Sequence, residues 1–354
     1  MATRSQLELN EAAEAAEPAG GAPRRRGLRI ALLLAGLAAF LLLFWSVGWP
    51  AVASNLARIG GWFAVLVLFY AAPQVAFALG WWVVFEPGPR RPKFGRLFTV
   101  YLAGDAFNYL APGGVAGEPV KVRMLPGTAG SGAAVASLTI HKHADLVSQW
   151  LFVAAGVAVA FWRFPLPLAA RLAALAGVAG LGLLLVLLSW ALNRGTYSPV
   201  LRRLSRWKFL ADRLDRFHKP ARHVDDRIRA FYRRHPSRYA AAAGWCLLGW
   251  CGGLFETYIV LRLLSPGAGW DVAFAVEALA MALNNMFLFI PGRIGTAEGV
   301  RVGVFLLLGL GAGPGAAYSL ARRGRELVWT IPGLAAFFHW QAGELQPAPA
   351  REQG

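Results

Sequence analysis

Two stretches of the chain carry residues whose types and spacing could do chemistry. In PGGVAGEPVKVRML (112–125) the pair Pro112, Gly113 is followed by Glu118, Lys121 and Arg123, and in PGRIGTAEGVRVG (291–303) Pro291, Gly292 and Arg293 are followed by Glu298 and Arg301. Each glutamate stands three residues before a cation, which on a helix puts both on one face. A second cluster follows each: HKHADLV supplies His141, Lys142, His143 and Asp145, and RRGRELV supplies Arg322, Arg323, Arg325 and Glu326. Arginine offers a planar fork that holds phosphate through two hydrogen bonds, while lysine serves as a point charge. The carboxylates compensate those cations, take up protons, or act as acid and base.

The surroundings of these charges decide how costly they are. Of 354 residues 56% are hydrophobic and 16% charged, against roughly one quarter charged in soluble domains, and the mean hydropathy is +0.46. The chain is therefore read as an integral membrane protein, where one charge at the centre of a spanning helix costs roughly 2.5–3.5 kcal/mol. The plainer reading makes Glu118 with Lys121, and Glu298 with Arg301, helix-surface pairs at a packing interface, with the glycines allowing close approach. It leaves the matched second clusters without a reason.

Apolar runs of spanning length occupy 28–47, 60–85, 97–112, 144–162, 166–192, 239–264, 270–291 and 314–340. Two shorter pieces, 128–140 and 299–312, adjoin the Pro-Gly pairs and read as broken or re-entrant segments. The expected fold class is an all-α integral membrane protein of about eight transmembrane helices plus two broken segments. Residues 1–27 read as a disordered tail, because they are acidic and Ala-rich up to the Arg24, Arg25, Arg26 cluster, and 344–354 as a C-terminal tail. Loop 193–238 carries fourteen Lys or Arg against four Asp, so the positive-inside rule makes it, and the N-terminus, cytoplasmic. It also accounts for much of the +17 net charge without nucleic acid. Within it, the stripe Leu201, Leu204, Trp207, Leu210, Leu214 and Phe217 reads as a helix on an anionic leaflet. Segments 48–59, 163–167 and 265–269 are expected outside.

The order proline, glutamate, cation, second cluster occurs twice, in repeat 1 (about 60–192) and repeat 2 (about 239–343), entered from opposite sides of the membrane. Inverted repeats with broken helices are an architecture of secondary transporters, whose half-helix ends face a cavity. Asp105, Asn108, Asn284 and Asn285 precede the breaks as polar lining.

Other chemistry finds little support. His141 and His143 lack partners at metal-ligand spacing and read as interfacial polar residues; no metal and no cofactor is expected. The glycines of GLGAGPG (309–315) read as a loop, and no Walker, GxSxG or HExxH pattern occurs. Cys246 and Cys251 stand at a spacing that separates them on a helix, which gives neither a disulfide nor a metal pair.

PGGVAGEPVKVRML, HKHADLV, PGRIGTAEG and RRGRELVWTIPGL resemble the flippase-like membrane domain that forms the transmembrane region of lysylphosphatidylglycerol synthases and also occurs alone. The resemblance covers about 28–343 and is nearest to the hopanoid-biosynthesis-associated members. It implies a lipid flippase or transporter of the bacterial inner membrane, moving a phospholipid or a modified lipid between leaflets without covalent chemistry. Only a short tail follows Gly343, so the aminoacyl-transfer domain of those synthases is not expected. Under this reading Glu118, Lys121, Arg123, Asp145, Arg293, Glu298, Arg301, Arg322, Arg323, Arg325 and Glu326 bind the lipid headgroup, and Pro112, Gly113, Pro291 and Gly292 break the helices. Membrane lipids are the expected partners, and a homo-oligomer is left open. The competing function is a membrane enzyme that modifies a lipid headgroup.

Overall fold

In a computed structural model the protein is described at residues 38, 40–89, 91–111, 116–125, 130–195, 199, 203, 218–287 and 295–345. Among these it is all-helical. The helices are α1 (Phe40–Val47), α2 (Trp49–Ile59), α3 (Trp62–Phe69), α4 (Ala71–Val84), α5 (Phe94–Leu110), α6 (Gly117–Met124), α7 (Gly130–Arg163), α8 (Leu168–Arg194), α9 (His218–Arg234), α10 (Pro236–Leu264), α11 (Trp270–Asn284), α12 (Thr296–Leu307) and α13 (Ala312–Leu345).

Trp62–Val84, Gly132–Arg163, Leu168–Arg194 and Pro236–Leu264 are long and apolar enough to cross a membrane, and the pair α1 and α2, bent by 89°, makes a fifth if counted as one span. The protein is a multi-pass membrane protein. Three further helices fall outside this set: α5 and α11 have 17 and 15 residues, and α13, with 34, places Arg322, Arg323, Arg325 and Glu326 mid-length.

Three elements depart from the sequence reading. Segment 128–140 is not a separate re-entrant piece, because α7 runs unbroken for 34 residues from Gly130. The polar HKH that interrupts its apolar run is absorbed by packing: His141 stacks on Trp81, and His143 lies within 2.8 Å of the Tyr239 hydroxyl. Residues 49–59, read as a segment between spans, form α2, whose Val52 packs with Phe44, Val302 and Ala316. Part of the basic loop is α9, whose Val224, Ile228 and Phe231 are buried against α7, α8 and α10; the stripe from Leu201 to Phe217 lies outside the described residues. GLGAGPG matches its reading in part. The chain turns at Gly309 and Gly311, at φ 74° and 89°, where glycine is favoured, and Ala312 then opens α13.

Across the bundle α4 packs on α10, α5 on α13 and α7 on α11. The short helices sit between long ones: α6 contacts α5 and α7, and α12 contacts α11 and α13. Small residues allow the close approach that helix association in lipid relies on. A Cβ added at Gly117 of α6 would strike the carbonyl of Gly104 in α5, and one at Gly333 of α13 would strike the carbonyl of Leu102.

Candidate functional site

Both short helices open on a glutamate tied into the bundle. At α12 the backbone N–H of Gly295 (φ 79°) donates to Glu298 Oε2 at 2.8 Å, and Arg323 Nε of α13 lies 3.0 Å from Glu298 Oε1. At α6 the N–H of Gly117 donates to Asn108 Oδ1 at 2.7 Å, and the Asn108 amide donates to Glu118 Oε1 at 3.0 Å. Lys142 Nζ of α7 and Lys121 Nζ lie 3.3 Å and 3.4 Å from that same oxygen. In each half, then, a first-turn glutamate of a short helix pairs with a cation on the long helix that follows, Lys142 in one and Arg323 in the other. The spacing of three residues foretold the Glu118 and Lys121 pair. It did not foretell the second half, where Glu298 takes Arg323 while Arg301 lies 3.9 Å from Glu326 and donates to Ser319 Oγ at 3.4 Å.

The second cluster is held by carboxylates that sequence reasoning passed over. Arg322 meets Glu277 of α11 through two bonds, of 2.6 Å and 2.7 Å. Thr257 and Tyr318 donate to Glu277 Oε2 at 2.8 Å and 3.0 Å, so both oxygens of this buried group are engaged. Arg325 pairs with Glu256 of α10 and lies 3.7 Å over the Tyr70 ring. The signal for Glu256 and Glu277 was present, since each is a carboxylate inside an apolar run and such a residue marks a functional interior by default. Neither stands near a Pro-Gly pair.

Glu326 is shared. Arg325 approaches it to 3.7 Å, and Arg301 and Arg322 each to 3.9 Å, so one carboxylate is ringed by three guanidiniums at more than hydrogen-bond distance.

The two halves meet at the end of α5. Asn108 contacts Glu118, and its neighbour Tyr109 accepts a hydrogen bond from Arg323 Nη1 at 3.1 Å. Asp105, one turn earlier, accepts from Gln74 of α4 at 3.1 Å. Exposure sorts the charges. Lys121, Glu256, Glu277, Glu298 and Arg325 are buried, whereas the side chains of Arg301, Arg322 and Arg323 keep 12%, 16% and 15% exposure. Glu118, Asp145 and Glu326 keep 20–21%, and Lys142 keeps 39%. Only the partly exposed set is positioned to meet a ligand directly.

Asp145 lies 4.0 Å from Lys142, within the first cluster. Arg123 is exposed, with its guanidinium 5.7 Å from the Trp340 ring centroid. Pro112, Gly113, Pro291, Gly292 and Arg293 lie outside the described residues; the described helices end at Leu110 and Asn284 and resume at Gly117 and Thr296. Asn285–Phe287 form a single 3₁₀ turn after α11.

An all-α, multi-pass bundle with paired charges in its interior defines the class: a membrane protein whose intramembrane ionisable residues mark a candidate functional site. The family model described as the lysylphosphatidylglycerol synthase TM region matches residues 28–333, and the chain belongs to that family. Neither the curated proteins nor the solved structures gave a match.

Proposed function

We propose that the protein moves a phospholipid, or a modified lipid such as a hopanoid-linked one, between the leaflets of the bacterial inner membrane without covalent chemistry. The observation that carries this reading is the paired arrangement: each short helix binds its first-turn glutamate to a cation of the next helix, and Asn108 with Tyr109 joins the two sets.

An inverted repeat accounts for the packing. If α4, α5, α6 and α7 correspond to α10, α11, α12 and α13, the contact of α5 with α13 corresponds to that of α11 with α7, and α6 on α7 corresponds to α12 on α13. Counting the bent α1 and α2 pair, α5, α11 and α13 with the four apolar helices brings the spans to eight.

In this mechanism the lipid phosphate takes the place of the Glu326 carboxylate at Arg301 and Arg322, while the buried Arg325 stays on Glu256 and adds its charge from behind. Arg323 and Lys142 offer it further contacts on the path toward the first cluster. Glu277, Glu256 and Glu298 keep the cations charged and oriented when the site is empty, because an unpaired charge at membrane depth is costly. The same engagement argues for binding over catalysis. Glu277 has both oxygens committed to Arg322, Thr257 and Tyr318, which leaves it poorly placed to exchange protons with a substrate.

The test is reconstitution into liposomes with labelled lipids of several headgroups, hopanoid-linked ones included. Protein-dependent loss of leaflet protection, with lipid mass unchanged, is the expected result. A change in headgroup mass would establish the enzyme in its place.

A further inference from the structure

A second site lies away from the charged network, in the cleft between α9, α7 and the end of α4. The cleft has a volume of about 410 Å³, and Arg227 and Arg234 stand at its rim above an apolar wall that includes Phe85, Ile140 and Phe231. That wall is buried in the fold, while both arginines are exposed. Among the described residues no carboxylate pairs with Arg227 or Arg234, in contrast to the interior, where the arginines of α13 each face a glutamate. The one carboxylate of the lining, Glu86, lies 3.1 Å from His235. Ala230 and Arg234 also line a second hollow, of about 590 Å³, together with Arg229 and Arg233. Arg229 is paired with Asp226 at 2.7 Å.

We propose that this cleft binds the phosphate of an acidic phospholipid from the adjoining leaflet, with Arg227 and Arg234 on the phosphate and the start of an acyl chain against Phe85, Ile140 and Phe231. The recognising chemistry is a phosphate, and two arginines left uncompensated are suited to it. The apolar wall decides between a lipid and a free phosphate, since a small anion has no use for three buried hydrocarbon side chains. The basic excess of the surrounding loop draws anionic lipid to this end of the bundle.

Occupancy has a structural consequence. α9 is held to the bundle by Tyr232, whose hydroxyl lies 3.1 Å from His143 of α7, while His143 also lies 2.8 Å from Ser189 of α8 and 2.8 Å from Tyr239 of α10. A lipid spanning α9, α4 and α7 adds a second attachment next to this one, so it fixes α9 on the helices that carry the charged network. This site does not depend on the transport reading.

The experiment is hydrogen exchange on the full-length protein in detergent, followed across Ala221–Arg234. This readout is local to α9 and separates the cleft from the interior charges. Adding phosphatidylglycerol is expected to slow exchange in this segment at least threefold, while phosphatidylcholine and inorganic phosphate leave it unchanged. In Arg227→Gln/Arg234→Gln the lipid concentration needed rises about tenfold or more, as expected when charge-assisted bonds are lost. Ala230→Leu keeps both charges but narrows the cleft and raises that concentration too, whereas Arg222→Gln, which lines neither hollow, stays within about twofold of the parent, as an exposed charge away from the site should. Unchanged protection in the double variant, or no protection in the parent, overturns the site. Equal protection by inorganic phosphate overturns the lipid assignment.

Discussion

Replacing Arg322 by Gln removes both bonds to Glu277, of 2.6 Å and 2.7 Å, and leaves a 2% exposed carboxylate with only Thr257 and Tyr318 as donors. Breaking a buried pair from one side costs about 3–5 kcal/mol, because the surviving charge stays desolvated. Glu277→Gln is expected to cost less, since Arg322 keeps the Tyr318 hydroxyl at 2.7 Å and Glu326 at 3.9 Å and is partly exposed. The double variant Glu277→Gln/Arg322→Gln buries two neutral amides and should recover most of the loss, so the two single costs sum to at least about 2 kcal/mol more than the double, within the range of directly coupled residues. The assay is equilibrium unfolding in mixed micelles, with lipid translocation measured on the same preparations. The double variant should be stable and inactive, because Arg322 is one of the three guanidiniums around Glu326. Single costs that add within about 0.5 kcal/mol would refute the coupling. Full translocation by the stable double variant would refute the role in binding.

Three further outcomes follow from particular contacts. Gly117→Ala forces a Cβ onto the Gly104 carbonyl and should destabilise the protein by about 1–3 kcal/mol, read as a lower unfolding midpoint, because α5 and α6 must separate. Gly104→Ala drives its Cβ into the Lys121 side chain rather than into backbone and should cost less. Arg325→Ala should lower stability more than Arg301→Ala does, by about 2 kcal/mol or more in the same unfolding assay, because Arg325 is buried on Glu256 and Tyr70, whereas Arg301 touches Ser319 and Glu326 loosely. A cysteine placed at Ser205 should resist an impermeant reagent applied outside intact cells, and Arg206→Ala should leave translocation within about twofold, as expected of a loop whose charges set sidedness.

Much of this arrangement was legible in local sequence, and the remainder depends on long-range packing. The paired order of proline, glutamate, cation and second cluster located α6, α12 and the charged stretches of α7 and α13, because breaks and charges stand out against an apolar background. Pro119 falls in the opening turn of α6, where its missing N–H costs nothing. Partner choice was not local. Glu298 sits three residues from Arg301, yet Arg323 reaches it from another helix, and Glu256 and Glu277 join the network from α10 and α11 without any motif beside them. HKH looked like an interruption because hydropathy counts its polarity and not the ring of Trp81 or the hydroxyls of Tyr232 and Tyr239 that receive it. The docking of α9 was likewise hidden: its apolar face is narrow within a strongly basic segment, so charge dominated the reading.

The central claim is that both clusters serve one lipid path. It is tested most directly by translocation of labelled phosphatidylglycerol in liposomes by the parent protein, Arg301→Gln, Lys142→Gln and their combination, with unfolding midpoints measured alongside. Arg301 and Lys142 are the cations to change, because each keeps exposure and lies no closer than 3.3 Å to a carboxylate. The account predicts correctly folded variants in which each single change slows translocation about tenfold, as expected when one charge-assisted phosphate contact is lost, with lipid mass unchanged throughout. Translocation at the parental rate by a stable double variant would contradict it.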